Sequence, residues 1–122
     1  MAAEIRDVPL EQKHVLRQLM QLYLYDFSEI DGDDVNERGE FPYRWLDNYW
    51  TENSRHPFLV FSDGQIAGFV LVGTHSVVCL EPDAKRIAEF FIMRKYRMRG
   101  IGRKAAFHVF DRFRGPWEVS QN

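Results

Sequence analysis

The chain has 122 residues, of which 45% are hydrophobic and 28% are charged, a balance that is ordinary for one globular domain. Its formal net charge of -2 argues against the basic surface of a nucleic-acid-binding protein. Cys79 is the single cysteine, which excludes an intrachain disulfide, and no apolar run approaches the roughly 20 residues that span a bilayer. We therefore expect a cytoplasmic protein in which residues 1–122 form one domain, with no nucleic-acid or membrane partner.

The N-terminal half predicts one strand followed by helices. A short β-like segment at 3–8 ends at Pro9. Residues 10–27 carry apolar side chains at helical spacing, so they are predicted to form an amphipathic helix. The acidic segment 28–39 is typical of a loop, and the aromatic-rich segment 41–53 predicts a second, short helix.

A β-hairpin is predicted next. Strands at 57–62 and 65–74 flank Asp63-Gly64, a pair that tolerates the positive φ angles of a tight hairpin turn. Gly68 lies inside the second of these strands and indicates a possible β-bulge.

The remaining segments predict a strand, a helix and a last strand. A turn at 81–83 precedes the strand 86–93, which is apolar on both faces and so is expected to be central. The helix 103–113 is predicted to stop at Gly115-Pro116, before a strand at 117–120. The predicted order is β-α-α-β-β-β-α-β.

Two glycines at the start of this last helix point to an anion site. Without Cβ atoms, Gly100 and Gly102 let a ligand approach the backbone. The first N–H groups of a helix lack internal partners, so those from Met98 to Arg103 are suited to a pyrophosphate. Additional positive charge comes from Arg97, Arg99, Arg103 and Lys104. Taken alone, the two glycines favour a tight turn among solvated arginines over an anion site.

The segment Arg97-x-x-Gly100-x-Gly102 resembles motif A of the GNAT superfamily, [Arg/Gln]-x-x-Gly-x-[Gly/Ala]. Its flanks also match, and the run from Glu89 to Gly102 is similar to that of the diamine and polyamine N-acetyltransferases. The resemblance implies an α/β fold with a mixed, mainly antiparallel sheet flanked by helices. It also implies transfer of an acetyl group from acetyl-CoA to a primary amine, without a metal.

The resemblance further implies which residues bind the cofactor. Main-chain groups of Phe90, Phe91 and Ile92 are expected to contact the pantetheine arm, and the Ile92 N–H is expected to face the developing oxyanion. Arg97 is the basic residue of the motif, and Asn122 resembles an asparagine that contacts the cofactor. The pyrophosphate is expected to bind the main chain of Met98, Arg99, Gly100, Ile101, Gly102 and Arg103.

Glu89 is the candidate general base, because it lies in an otherwise apolar strand where burial raises the pKa of a carboxyl. Similar polyamine enzymes carry an acidic pair in this region, whereas this chain has Ala88 as the first member and Glu89 as the second. The alternative is that Glu89 forms an ion pair with a neighbouring arginine or lysine.

The acceptor is expected to be a small-molecule or peptide amine. In the family, the acceptor site lies between the region of the first two helices and the end of the fourth strand, which places Tyr25, Asp26 and Phe27 there. Aromatic and acidic groups suit a cationic amine. The alternative is that this acidic stretch is a solvated loop. The histidines and Cys79 show no metal-ligand spacing.

The resemblance also implies that the last helix and strands of the family are missing after Asn122, including a helix that often carries a catalytic tyrosine. An unfinished sheet edge invites pairing with a second copy, so a homodimer is the expected assembly. Two alternatives to an enzyme stay open. One is a non-catalytic CoA-binding, scaffold or sensor module, and the other is an anion- or nucleotide-binding protein.

Overall fold

Within the described residues, five strands form one sheet with helices on both faces. The computed structural model describes residues 3–44, 46–73, 85–113 and 117–118. In chain order and side by side lie β1 (Ala3–Asp7), β2 (His56–Ser62), β3 (Gln65–Gly73), β4 (Lys85–Ile92) and β5 (Trp117–Glu118). Neighbours are antiparallel from β1 to β4, whereas β5 is parallel to β4. The predicted mixed, mainly antiparallel α/β fold is confirmed.

The helices are α1 (Lys13–Asp31), α2 (Asn48–Thr51) and α3 (Ile101–Arg112), with short 3₁₀ helices at Leu10–Gln12 and Arg94–Tyr96. Together with the strands, they follow the predicted order of elements. Among the described residues, none of the helices combines the length and apolar character that crossing a membrane requires.

The prediction of a loop at 28–39 was wrong for its first four residues, because α1 continues to Asp31. Gly32 ends the helix in the left-handed conformation at φ 79°, and its N–H bonds the Ser28 carbonyl at 2.9 Å. A glycine in this conformation is a common helix terminator. The helix therefore runs until its first glycine, despite the exposed and acidic character of its last turn.

α3 begins two residues earlier than predicted, at Ile101 rather than Arg103. The reason is packing, since the side chain of Ile101 is buried and belongs to the core beneath the helix. Gly102 therefore lies within the first turn of α3, and Gly100 is the residue that precedes it.

Two hydrophobic layers hold the helices against the sheet. On one face, α1 packs Leu16 and Met20 against the sheet residues Leu59, Phe69 and Leu71. On the other face, the buried α3 residues Ile101, Ala105 and Val109 pack against Phe58, Val60, Val70 and Val72. Full burial of one such aliphatic or aromatic side chain contributes about 1.5–3 kcal/mol. The sheet is thus fixed between α1 and α3.

The β2–β3 hairpin turns at Asp63 and Gly64, with φ angles of 49° and 83°. Two positive φ angles are those of the turn type that suits a two-residue hairpin, so this prediction is confirmed. The predicted bulge lies one residue away from Gly68. Val60 pairs with Gly68 and Phe61 pairs with Ile66, so Ala67 is the extra residue.

Some predictions fall outside the described residues. They are the turn at 81–83, the end of α3 at Gly115-Pro116, the part of the last strand beyond Glu118, and Asn122.

Gly68 allows β3 and β4 to approach closely. It pairs with Ile92, and a Cβ atom built on Gly68 would lie 1.9 Å from the carbonyl oxygen of Phe91. Since this neighbour is backbone, it can move aside only if the strand pairing is distorted.

We expect Gly68→Ala to lower the free energy of unfolding by about 1–3 kcal/mol, the usual range for overpacking a core. The measurement is urea unfolding of both proteins. Gly73→Ala is the matched control, because a Cβ at Gly73 meets nothing within 4 Å. Equal stability of the two variants would contradict the steric argument.

Candidate functional site

The outer edge of β4 has no strand beside it over most of its length, as far as the described residues extend. β5 pairs only with Lys85 and Arg86. The Met93 N–H bonds the Ala67 carbonyl at 2.8 Å, and hydrogen-bonded pairs alternate along an antiparallel ladder. By this alternation, the main chains of Phe90 and Ile92 face away from β3. The polar groups of Phe91 face β3, so two rather than three of the predicted residues offer outward main-chain groups.

The free edge leads into a tightly turned loop before α3. Met98 and Gly100 have φ angles of 63° and 76°, and no side chain caps the first turn of α3. The first N–H groups of this helix therefore lack intrahelical partners. Gly100 is required by its positive φ. A Cβ on Gly102 would make ordinary contacts of 3.7 and 3.8 Å with Ile92 and Phe90, so packing does not require this glycine.

The Arg97 side chain forms hydrogen bonds within the protein. Its Nε donates to the Ile92 carbonyl at 2.6 Å, and its Nη2 donates to Asp26 at 2.6 Å. Arg94 donates to the other oxygen of Asp26 at 2.8 Å. These hydrogen bonds, first from Arg97 and then from Arg94, hold the pKa of Asp26 below its usual range. We name Asp26, Arg94 and Arg97 the clamp, because they link α1 to the loop.

Arg99 and Arg103 supply the positive charge at the start of α3. Both side chains are exposed, and neither is in an ion pair within the part of the chain that the structure describes. The Arg103 guanidinium lies 5.4 Å from the centre of the Phe107 ring. The two cations thus lie beside the uncapped N–H groups at the start of α3, where the sequence predicts an anion site, and ligand binding there stays a prediction.

Glu89 is half-buried on the face of β4 that α1 covers. Burial raises the pKa of its carboxyl, while the Tyr23 hydroxyl and the charge of Arg86 act in the opposite direction. A carboxyl with a raised pKa matches the task of a general base better than an exposed one does.

Tyrosines surround this carboxyl. The pKa values of Tyr23, Tyr43 and Tyr49 are raised, mainly by burial, and the charge of Glu89 adds to the effect for each. All three therefore keep their protons at neutral pH and remain O–H groups beside Glu89.

Tyr49 stands out among them. The residue is 3% exposed, and its hydroxyl makes no well-formed hydrogen bond among the described residues, although the Tyr43 hydroxyl and the Arg55 guanidinium lie near enough to lower its pKa. The Arg55 guanidinium lies over its ring at 5.4 Å. A buried hydroxyl without a partner is rare, because its desolvation is not compensated.

Glu89 lines a cleft of about 770 Å³. The cleft lies between the end of α1, the segment before α2 and the first half of β4. Its walls are formed by Leu24, Asp33, Pro42, Tyr43, Arg44, Tyr49, Arg55, Arg86, Ala88 and Glu89.

The predicted acceptor residues lie outside this cleft. Tyr25 is 65% exposed and Asp26 belongs to the clamp. Both border a separate depression with Phe91 and Arg94. Phe27 packs edge-to-face on Tyr23 at 5.5 Å. The structure thus brings Glu89 together with Tyr43, Tyr49 and Arg86, none of which was predicted from the sequence.

No spacing signal identifies these three residues. Tyr43 and Tyr49 lie about 40 positions before Glu89 in the chain, and only the folded sheet places them beside it. In a regular strand, Arg86 and Glu89 would lie on opposite faces. Only the β-bulge in β4 brings them to the same face.

Comparisons with known proteins identify the family and the fold. The family model described as acetyltransferase (GNAT) family matches residues 16–119. No curated protein matches the sequence.

Several solved structures share the fold. A predicted acetyltransferase with acetyl-CoA from Clostridium acetobutylicum is 13% identical, with a TM-score of 0.69 over 99% of this chain and 82% of its own. AAC(6')-Iy in complex with the bisubstrate analog CoA-S-monomethyl-acetylneamine is 13% identical, with a TM-score of 0.65 over 100% and 81%. A ribosomal-protein-alanine N-acetyltransferase from Brucella melitensis biovar Abortus 2308 is 15% identical, with a TM-score of 0.63 over 98% and 79%.

We expect Tyr49→Phe to leave the free energy of unfolding unchanged or to raise it by about 1 kcal/mol, since it removes a buried hydroxyl without a partner. Chemical unfolding of the variant and of Tyr25→Phe, an exposed control, provides the measurement. A loss of more than about 1 kcal/mol for Tyr49→Phe would mean that the hydroxyl stabilises the fold through a hydrogen bond.

Proposed function

Because this chain belongs to the acetyltransferase (GNAT) family, we propose that it transfers an acetyl group from acetyl-CoA to a primary amine. One observation carries the proposal. The free edge of β4 runs into an uncapped helix start, and the same strand presents a half-buried carboxylate to a cleft. We also propose that residues 1–122 act together as one domain.

In this proposal, the pantetheine arm extends the sheet along the outward main-chain groups of Phe90. Only the N–H of Ile92 is available to the cofactor, because Arg97 already bonds the Ile92 carbonyl. Strand-like addition to a free sheet edge satisfies such groups. The pyrophosphate binds the N–H groups from Met98 to Arg103, with Arg99 and Arg103 neutralising its charge. Arg97 contributes by holding the loop through the clamp. The acetyl-CoA and CoA-analog complexes of proteins with the same fold support this placement.

The chemistry follows from a direct attack of the amine on the thioester. The nitrogen forms a bond to the carbonyl carbon, and the carbon–sulfur bond breaks. Two protons leave the ammonium nitrogen, one to solvent through Glu89 and one to the departing sulfur of CoA. The outward N–H of Ile92 is positioned at the end of the free edge, where it donates to the developing oxyanion.

The cleft beside Glu89 is the proposed acceptor site. Two structural neighbours, one bound to a bisubstrate analog that contains acetylneamine and one named as a ribosomal-protein-alanine N-acetyltransferase, support an amine as the acceptor of this chain. Tyr25, Asp26 and Phe27 keep a proposed role in binding the acceptor outside this cleft, where Tyr25 supplies an exposed aromatic surface beside the separate depression.

We expect Arg99→Ala and Arg103→Ala each to weaken CoA binding by about tenfold, because each removes one charge-assisted contact. Calorimetric titration with CoA gives the affinity, and titration with pantetheine, which lacks the pyrophosphate, gives the control. Arg17→Ala is the control variant, because it removes an exposed cation from α1, on the other face of the sheet. Equal loss of pantetheine affinity in the Arg99 variant would contradict the assignment.

We expect Glu89→Gln to lower kcat/KM by about a hundredfold or more near neutral pH, the usual contribution of a general base. In the parent protein, kcat/KM should rise with pH through the raised pKa of Glu89, since the carboxylate is the active form. The variant should lose this limb of the profile.

Release of the CoA thiol, measured from pH 5 to pH 10, tests the Glu89 assignment, with Glu11→Gln as an exposed control. Burial disfavours the charged form of Glu89, so Glu89→Gln should be no less stable than the parent protein at pH 7. An unchanged rate and pH profile would remove Glu89 from the mechanism. CoA binding without turnover of any amine would instead favour a non-catalytic CoA-binding module.

A further inference from the structure

A second β-bulge places two charged residues of β4 on the same face. Leu71 pairs with Glu89, whereas Val72 pairs with Ile87, so Ala88 is an extra residue without a partner on β3. Side chains three positions apart in a regular strand point to opposite faces. The bulge cancels this alternation, and Arg86 and Glu89 both line the cleft.

The register also sets the distance between them. Arg86 pairs with Gly73, and Glu89 pairs with Leu71, two residues along β3. At about 3.3 Å per residue, their main-chain positions lie roughly 7 Å apart along the strand. A molecule that contacts both side chains therefore needs two functional groups only a few bonds apart.

Arg86 is a cation without an ion-pair partner within the described segments. Its side chain is half-buried, and its positive charge lowers the pKa of Glu89. Arg55, another cation of this cleft, already bonds Glu52 at 3.3 Å. A half-buried guanidinium is suited to a carboxylate, which it binds through two parallel hydrogen bonds.

The charges of the cleft argue against a polycationic acceptor. Arg44, Arg55 and Arg86 line it together with two acidic residues, Asp33 and Glu89. A diamine or polyamine that placed one nitrogen at Glu89 would bring its second ammonium towards Arg86. Like charges at that distance in a half-buried site repel each other.

Resting on the proposed acetyl transfer, we infer that the acceptor is a small amine that also carries a carboxylate, as a free amino acid does. Arg86 binds the carboxylate and Glu89 faces the amine. Neither group of the acceptor is then left unpaired, and the amine is held beside Glu89 within the cleft.

The test uses pairs of acceptors that differ in one charge. Glycine, alanine, leucine, phenylalanine and glutamate are each compared with their α-carboxamides, and spermidine serves as the polycationic competitor. With the full chain and acetyl-CoA, we expect kcat/KM for the preferred acid to exceed that for its amide by about ten- to a hundredfold, the range for a charged hydrogen bond.

Arg86→Gln should reduce this acid-to-amide ratio towards one, and Arg86→Lys should retain part of it. Arg17→Gln, a charge change on α1 outside the cleft, should leave it unchanged. The ratio is the informative readout, since a purely structural role of Arg86 would lower both rates together. Preference for the amides or for spermidine, or an unchanged ratio in Arg86→Gln, overturns the inference while leaving acetyl transfer intact.

A binding measurement separates this inference from the proposed function. The same acids and amides are titrated calorimetrically into the protein saturated with CoA. Tighter binding of the acids that disappears in Arg86→Gln supports the anchor even if turnover is absent, in which case the proposed function fails alone. Equal binding of acids and amides overturns the anchor whatever the turnover.

Discussion

The pairing of β3 with β4 determines the position of every main-chain and side-chain group on β4 that acetyl transfer would use. Gly68 lets the two backbones approach at Phe91, and within the described residues β5 covers the other edge of β4 only at Lys85 and Arg86. The bulge at Ala88 then divides β4 into two parts. The part after it carries the outward main-chain groups that the proposed cofactor contacts use, and the part around it presents Glu89 and Arg86 to the cleft.

The clamp ties α1 to the loop that precedes α3. Asp26 is near the end of α1, and its carboxylate is shared between Arg94 and Arg97. Arg97 in turn donates to the Ile92 carbonyl at the outer edge of β4. The arginine of the glycine-containing motif thus fixes the loop relative to the helix and the strand, whereas the exposed Arg99 and Arg103 are the side chains that the proposed pyrophosphate contacts use.

Local chemistry made much of the fold predictable, whereas the acceptor site depends on distant contacts. The Asp63-Gly64 turn and the glycine before α3 follow from backbone sterics within a few residues. Gly32 was an equally local signal, and its role as helix terminator was missed. Tyr49 and Arg86 could not be predicted, because their positions depend on tertiary packing and on a bulge that leaves no residue-type signature at Ala88.

Two opposing effects on the pKa of Glu89 would make the cleft favour an acceptor that carries a carboxylate. Burial raises the pKa of Glu89, and the positive charge of Arg86 lowers it. A carboxylate bound at Arg86 neutralises that charge, so the lowering effect weakens and the pKa of Glu89 moves upward. A carboxylate with a higher pKa is a stronger base. In the proposed reaction, an acceptor that carries a carboxylate therefore increases the basicity of Glu89, whereas for a simple amine the charge of Arg86 continues to lower the pKa of Glu89.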